Sequence, residues 1–293
     1  MIDEPSAEQG EIAAAAQERR QIWLCADDYG ISAAVNAAIR DLVSRGRINA
    51  TSVMVAAPSF HRSEAVSLSL LNAGAQRVAI GLHLTLTAPF RPLSKGYRPL
   101  HDGAFLSLGN TLIYALARQL KPAALREEAA NQLRMFIHTF GRAPDFIDGH
   151  RHVHLFPQVR EAVLDAINEL APGAWVRQCG RIGSFARRIR NRKGFLLDIL
   201  SRRFREHAAA LGVRTNPAFA GVYDFHDEAN FAALFPQFLD QLPSGSVVMC
   251  HPGFVDAELR RLDPLTNLRE REYAFFAGEA FPGVLASHGV VLA

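Results

Sequence analysis

Gln21-Ile22-Trp23-Leu24-Cys25-Ala26-Asp27-Asp28-Tyr29-Gly30 opens the patterned part of the chain. A short apolar run that stops on two adjacent carboxylates reads as a buried strand whose C-terminal end meets something charged. The same event recurs three times. Val78-Ala79-Ile80-Gly81-Leu82 runs into His83, Phe146-Ile147 into Asp148-Gly149-His150, and Val247-Val248-Met249-Cys250 into His251-Pro252-Gly253. In parallel α/β folds the C-terminal strand ends converge on one face, and that face carries the site. Four strand ends that deliver Asp and His therefore predict one polar cluster of the kind that binds a metal ion.

Between these strands the pattern changes to helical periodicity. Ser32–Arg45, with Ser32 as N-cap, follows the first strand; Thr51–Ala57 is the expected second strand, with a helix near 63–72 after it. Helices are expected near Asn110–Gln119, Pro122–Phe140, Pro157–Leu170, Asn230–Leu242 and Leu268–Phe281, with further strands at Ala174–Val176 and Val290–Leu292. This order implies a mostly parallel sheet covered by helices. Ala88–Gly103 is too long for an ordinary connection and is a candidate functional loop. Met1–Arg20 lacks a basic start before a long apolar stretch; it reads as a flexible tail, not a secretory signal.

The chain has 293 residues, 49% hydrophobic and 21% charged, with a net charge of +3. That composition excludes disorder for most of the chain and suits one α/β barrel or two smaller domains. No apolar run is long enough for a transmembrane segment, and the small net charge gives no case for a nucleic-acid partner. Three scattered cysteines form no disulfide framework, so a reducing cytoplasm is the expected location. The stretch from 177 to 205 is rich in arginine. It reads as a solvated amphipathic helical insertion, against the sharper alternative of a patch for an anionic partner or membrane surface.

Each site residue has a plain alternative. One of Asp27 and Asp28 could cap the next helix; a lone His83 would more often be a bonded rim residue, and His251 a strand-end residue bonded to backbone. The companions reverse those odds. Neutral imidazole is the commonest side-chain metal ligand, and in Asp148-Gly149-His150-Arg151-His152-Val153-His154 one or two of the three histidines would bind while the others orient ligands, contact substrate or pack. Asp148 is suited to holding a ligand histidine in one tautomer. His251, presented by a Pro-Gly turn, can act as general acid or base. No phosphate-cradling glycine loop, Gly-x-Ser-x-Gly elbow or zinc-finger cysteine pair is present.

Ala26-Asp27-Asp28-Tyr29-Gly30, Gly81-Leu82-His83-Leu84, the Asp148–His154 cluster with Pro157, and Cys250-His251-Pro252-Gly253 together resemble the YdjC-like carbohydrate deacetylases. That family includes chitooligosaccharide and hopanoid-biosynthesis-associated deacetylases. The resemblance runs from about Gln21 to the C-terminus. It implies an α/β fold, a distorted (β/α) barrel resembling polysaccharide deacetylases, as a single domain over 21–293 with the Arg-rich insertion at about 177–215. It also implies hydrolysis of the N-acetyl group of an N-acetylglucosamine-containing sugar, with one divalent metal ion. By position, Asp28, His83 and His150 would be the ligands, Asp27 the catalytic base and His251 the acid, with Asp148, Arg151, His152 and His154 supporting ligands or substrate. An Asp/His/His set suits Zn2+, or Co2+ and Ni2+; Mg2+, often ascribed to the family, prefers oxygen ligands. Tyr29 stands where the family usually has phenylalanine, and Arg151 where a neutral residue is usual. A phosphoesterase and a non-catalytic sugar-binding protein are the competing readings; a homodimer is left open. Thr215–Phe219 is a further guess for the sugar site.

Overall fold

The computed structural model describes residues 19–72, 77–182, 192–226 and 228–293. Most of the N-terminal tail, together with Arg187, Arg188 and Arg190 of the Arg-rich stretch, lies outside the described residues. Strands β1 (Arg20–Tyr29), β2 (Ala50–Val53), β3 (Ala79–Leu84), β4 (Phe146–Gly149), β5 (Trp175–Val176), β6 (Phe219–Ala220), β7 (Ser246–Cys250) and β8 (Val290–Leu292) form one parallel sheet. Its order is β5-β4-β3-β2-β1-β7-β6. Helices surround it, α3 and α6 lying at the barrel mouth: α1 (Ala33–Ser44), α2 (Arg62–Leu71), α3 (Leu108–Leu116), α4 (Pro122–Phe140), α5 (Val159–Leu170), α6 (Arg192–Ala210), α7 (Phe231–Leu239), α8 (Ala257–Leu262), α9 (Asn267–Ala277) and α10 (Phe281–Ser287). Among the described residues no helix is long and apolar enough to cross a membrane.

The local signals act as expected. The Ser32 hydroxyl accepts from the Val35 N–H to start α1, Pro122 occupies the first turn of α4, and Gly141 ends α4 in the left-handed region. β8 pairs with Arg20–Ile22, and β2 takes over the same side of β1 from Cys25. Asn49 stitches that handover, accepting from Leu24 N–H and donating to the Ile22 and Ala293 carbonyls.

The barrel closes irregularly. The gap between β5 and β6 is spanned by 214–219: Val176 N–H donates to Arg214 O at 2.9 Å, Thr215 bridges Val176, and Phe219 N–H reaches Gly180 O at 3.2 Å. Asn216 accepts from Gln178 N–H at 2.8 Å. Thr215–Phe219 therefore forms this seam, outside the lining of the cleft described below.

Two other expectations are corrected, and the candidate loop takes a definite form. The second strand stops at Val53, because Met54 N–H bonds Tyr29 O and Ala57 N–H folds back to Met54 O. The expected helix over 268–281 is two, α9 and α10, with the extended Gly278 capping the first. Ala88–Gly103 is a packed loop: Phe90 and Tyr97 are buried, and the Leu93 and Ser94 N–H groups donate to the buried carboxylate of Glu128 on α4.

Strand alternation sorts the interior into layers. Trp23, Phe146 and Trp175 make the floor, Phe146 stacking on Trp175 at 4.6 Å. Two residues further along the same strands stand Cys25, Asp148 and Arg177, and above Cys25 stands Asp27. The interior thus turns from aromatic to ionic within one step of the pleat. Gly81 of β3 makes room for the floor, since a Cβ there would overlap the Phe146 ring. Gly81→Ala should cost ~1–3 kcal/mol by overpacking, read as a lower urea midpoint, and adding Phe146→Leu should recover part of the loss.

Candidate functional site

Alternation along β1 points Asp27 inward and would send Asp28 outward. The backbone reverses that at Asp28, whose φ is +68°, and the pairing with β2 slips between Ala26 and Tyr29. A residue added at a strand end in this way re-aims the next side chain. Asp28 is thereby buried at the barrel mouth, where its Oδ1 lies 2.9 Å from His150 Nδ1 and 3.3 Å from His83 Nε2. These three side chains bring their ligand atoms within 4.8 Å of one another.

Each is held from behind. His83 Nδ1 donates to Asp148 Oδ1 at 2.6 Å and lies 3.0 Å from Ser52 Oγ, which leaves Nε2 facing Asp28. Burial alone would lower the His83 pKa, but Asp148 and Asp27 outweigh it and hold it at about 10. His150 begins the short 3-10 segment His150–Leu155 and sets its ring edge-on to Phe90 at 5.5 Å. Its Nε2 is buried and has no hydrogen-bond partner among the described residues. Arg269 of α9, fully buried, donates to Asp28 Oδ2 at 2.6 Å and fixes the carboxylate so that Oδ1 faces the two imidazoles.

Arg177 is the residue the sequence hides. It belongs, by position, to the Arg-rich stretch, yet it is fully buried in the barrel and is no part of a solvated insertion. It donates to both oxygens of Asp27 at 2.7 Å, reaches Asp148 Oδ2 at 2.5 Å and touches Cys25 Sγ at 3.0 Å. Burial would raise the Asp27 pKa, but this clamp, helped by His83, holds the carboxyl well below the usual range. The one signal in the sequence is register: Arg177 is two residues beyond Trp175, so it shares that residue's inward face.

His251, at the end of β7, lines the same cleft. Its N–H donates to Glu272 Oε2 at 2.5 Å, and Glu272 Oε1 accepts from the Tyr223 hydroxyl at 2.6 Å. Burial pushes the His251 imidazole down and Glu272 up to about 7. The remaining histidines separate. His154 donates through Nε2 to Arg177 O at 2.8 Å and packs against Phe204, away from the mouth. His152 lines the cleft beside Cys179, its Nδ1 3.5 Å from the sulfur. Arg151 also lines it, 3.9 Å from Asp263.

The cleft holds about 730 Å3. The ionic cluster, His152 and Arg151 occupy one part of its lining. Leu112 of α3, Leu197 and Leu200 of α6, Phe156 and Val222 make the other part apolar.

The residues at Asp28, His83 and His150 fit a divalent cation. Two imidazole nitrogens and one carboxylate oxygen are a common donor set for zinc and its neighbours, and His83 is backed by Asp148 as ligand histidines are. Asp27, Asp28 and Asp148 face the two guanidiniums of Arg177 and Arg269, and the carboxylate charge left over is balanced by the imidazole of His83, a counter-charge whose place a cation would take. A second cluster, Cys25, Asp27 and Asp148, also brings three ligand atoms together. Arg177 fills it already, so it offers no cation site.

Comparison with known proteins follows the same lines. A carbohydrate deacetylase of Clostridium beijerinckii is 28% identical over 270 residues, covering 87% of this chain and 93% of that one. A chitooligosaccharide deacetylase of Escherichia fergusonii is 29% identical over 250 residues, covering 83% and 85%. A solved structure from Enterococcus faecalis V583, called a candidate cellobiose-phosphate cleavage protein, superposes with a TM-score of 0.71 at 21% identity. It covers 94% of this chain and 97% of that one, and supports the barrel fold. The family model for YdjC-like protein matches residues 21–287, all the strand ends just described included, and the chain belongs to that family.

Proposed function

We propose that the protein removes the N-acetyl group from an N-acetylglucosamine-containing sugar, a chitooligosaccharide or related glycoconjugate, with the aid of one divalent cation. The observation that carries this is the meeting of Asp27, Asp28, His83, His150 and His251 in one cleft. The deacetylase relatives at 28% and 29% identity support the reaction class. Residues 21–293 act as one catalytic unit in this reading, and three free, buried cysteines suit a reducing cytoplasm.

Asp28, His83 and His150 would hold the cation, which supplies Lewis acidity toward a water and an acetyl carbonyl. Asp27 accepts the proton of the attacking water. The Arg177 clamp weakens Asp27 as a base but guarantees that it is ionised, and it leaves little freedom to turn away. An amine leaves poorly as an anion, so it needs a proton, and His251 is the titratable group placed to give it. Glu272 fixes the backbone from which His251 projects. A phosphoesterase would need several cations facing the substrate; Arg177 and Arg269 are engaged by carboxylates, which leaves Arg151 alone of the three to meet a phosphate.

The apolar half of the cleft favours a glycoconjugate with an apolar portion beside the sugar. A short chitooligosaccharide has hydroxyls on every ring edge, and an aliphatic wall would leave them unpaired.

Chelator-stripped protein should release no acetate from N,N′-diacetylchitobiose or an alkyl N-acetylglucosaminide until Zn2+, Co2+, Ni2+ or Mg2+ is added. Failure with every metal and both substrates would sink the proposal. Asp27→Asn should leave the Zn2+ affinity measured by titration calorimetry nearly unchanged and lower kcat by ~100-fold or more; equal activity would remove Asp27 as the base. Arg177→Met strands two buried carboxylates and should cost ~3–5 kcal/mol in urea unfolding, with part regained by adding Asp27→Asn. Burying two methylenes of an alkyl aglycone at ~0.8 kcal/mol each should raise kcat/KM roughly tenfold over the chitobiose; a preference for chitobiose would assign the apolar wall another role.

A further inference from the structure

We propose that the mouth of the cleft docks on an anionic lipid bilayer, through the exposed faces of α3 and α6. Both helices line the cleft and both pack against the His150–Leu155 segment, so they form its banks. The apolar wall does not stop at a polar rim. Leu196 and Phe225 line the cleft and are each 40% exposed, so the lining runs out to the surface. Next to them, Ile199 on α6 and Ile113 and Leu116 on α3 are more exposed still, with Ile113 at 61%. Large aliphatic side chains at this exposure, grouped on the two banks of one opening, mark a surface that meets another apolar phase.

Charge selects that phase. Each bank follows its apolar pair with exposed cations: Arg118 and Lys121 after Leu116, and Arg202, Arg203 and Arg205 after Ile199. Glu206 is the exposed acid among the α6 cations, pairing with Arg202 and Arg203, while Asp198 of the same helix is buried against Arg181. Short helices with aliphatic residues on one side and arginine or lysine beside them lie in the interface of anionic membranes, apolar groups in the acyl boundary and cations at the headgroups. The Arg-rich character of the sequence here thus finds a use that the reaction itself does not supply. That the docked cleft then receives a lipid-borne sugar rests on the function proposed above; the docking itself does not.

The test uses the full chain and needs no turnover. Co-sedimentation with vesicles of phosphatidylglycerol and phosphatidylcholine should exceed that with phosphatidylcholine alone, and should weaken as salt rises. The triple variant Ile113→Ser, Leu116→Ser, Ile199→Ser should partition about tenfold less while keeping its far-ultraviolet circular dichroism and melting temperature. Three results would overturn the proposal: no binding to phosphatidylglycerol vesicles, equal binding by the folded variant, or a solution dimer that the variant dissolves. In the last case the face joins two copies of this chain. If vesicles bind but no N-acetyl sugar is ever cleaved, the deacetylase reading fails and the docking stands.

Discussion

A guanidinium inside the barrel organises everything above the floor. Arg177 is fully buried, and the desolvation of one cation and two carboxylates is offset only because their geometry is close and nearly complete. From it the order propagates outward. Arg177 holds Asp148, Asp148 fixes the tautomer of His83, and His83 with His150 faces the carboxylate of Asp28. Arg269 closes the series from α9 by taking the other oxygen of Asp28. Each of two adjacent aspartates thus has its own arginine, one inside the barrel and one at its mouth, which suits the pair to the different tasks proposed for them.

That separation depends on a single backbone reversal. Two neighbours on a regular strand cannot share a cavity; the positive φ of Asp28 lets them. Aspartate and asparagine take this conformation more readily than most residues, because a short polar side chain can bond locally.

The strand ends were legible in the sequence because an apolar run that stops at a charge needs no tertiary information to recognise. His83, Asp148, His150 and His251 all stand where that signal puts them, and they meet in the structure. Arg177 was not legible. It opens a stretch that holds many other arginines, and only its register with the inward face of a two-residue strand distinguishes it from them. β6 is equally short and is made by a seam of irregular hydrogen bonds, so no periodicity announces it. Ala88–Gly103 stands out in the sequence by its length alone; that its Leu93 and Ser94 N–H groups anchor on the buried Glu128 of α4, and that Phe90 packs on His150, needs the tertiary structure to see. The histidines of the 150–154 segment divide their roles through kinked backbone at Arg151 and His152, which neither strand nor helix spacing describes.

The floor of Trp23, Phe146 and Trp175 makes the described barrel a cup that opens on the cleft. In the reaction proposed above, water and the small acid it frees share that mouth with the sugar. Traffic there is then sequential: a bulky occupant corks the cup, and whatever forms beneath it waits for the larger piece to lift away.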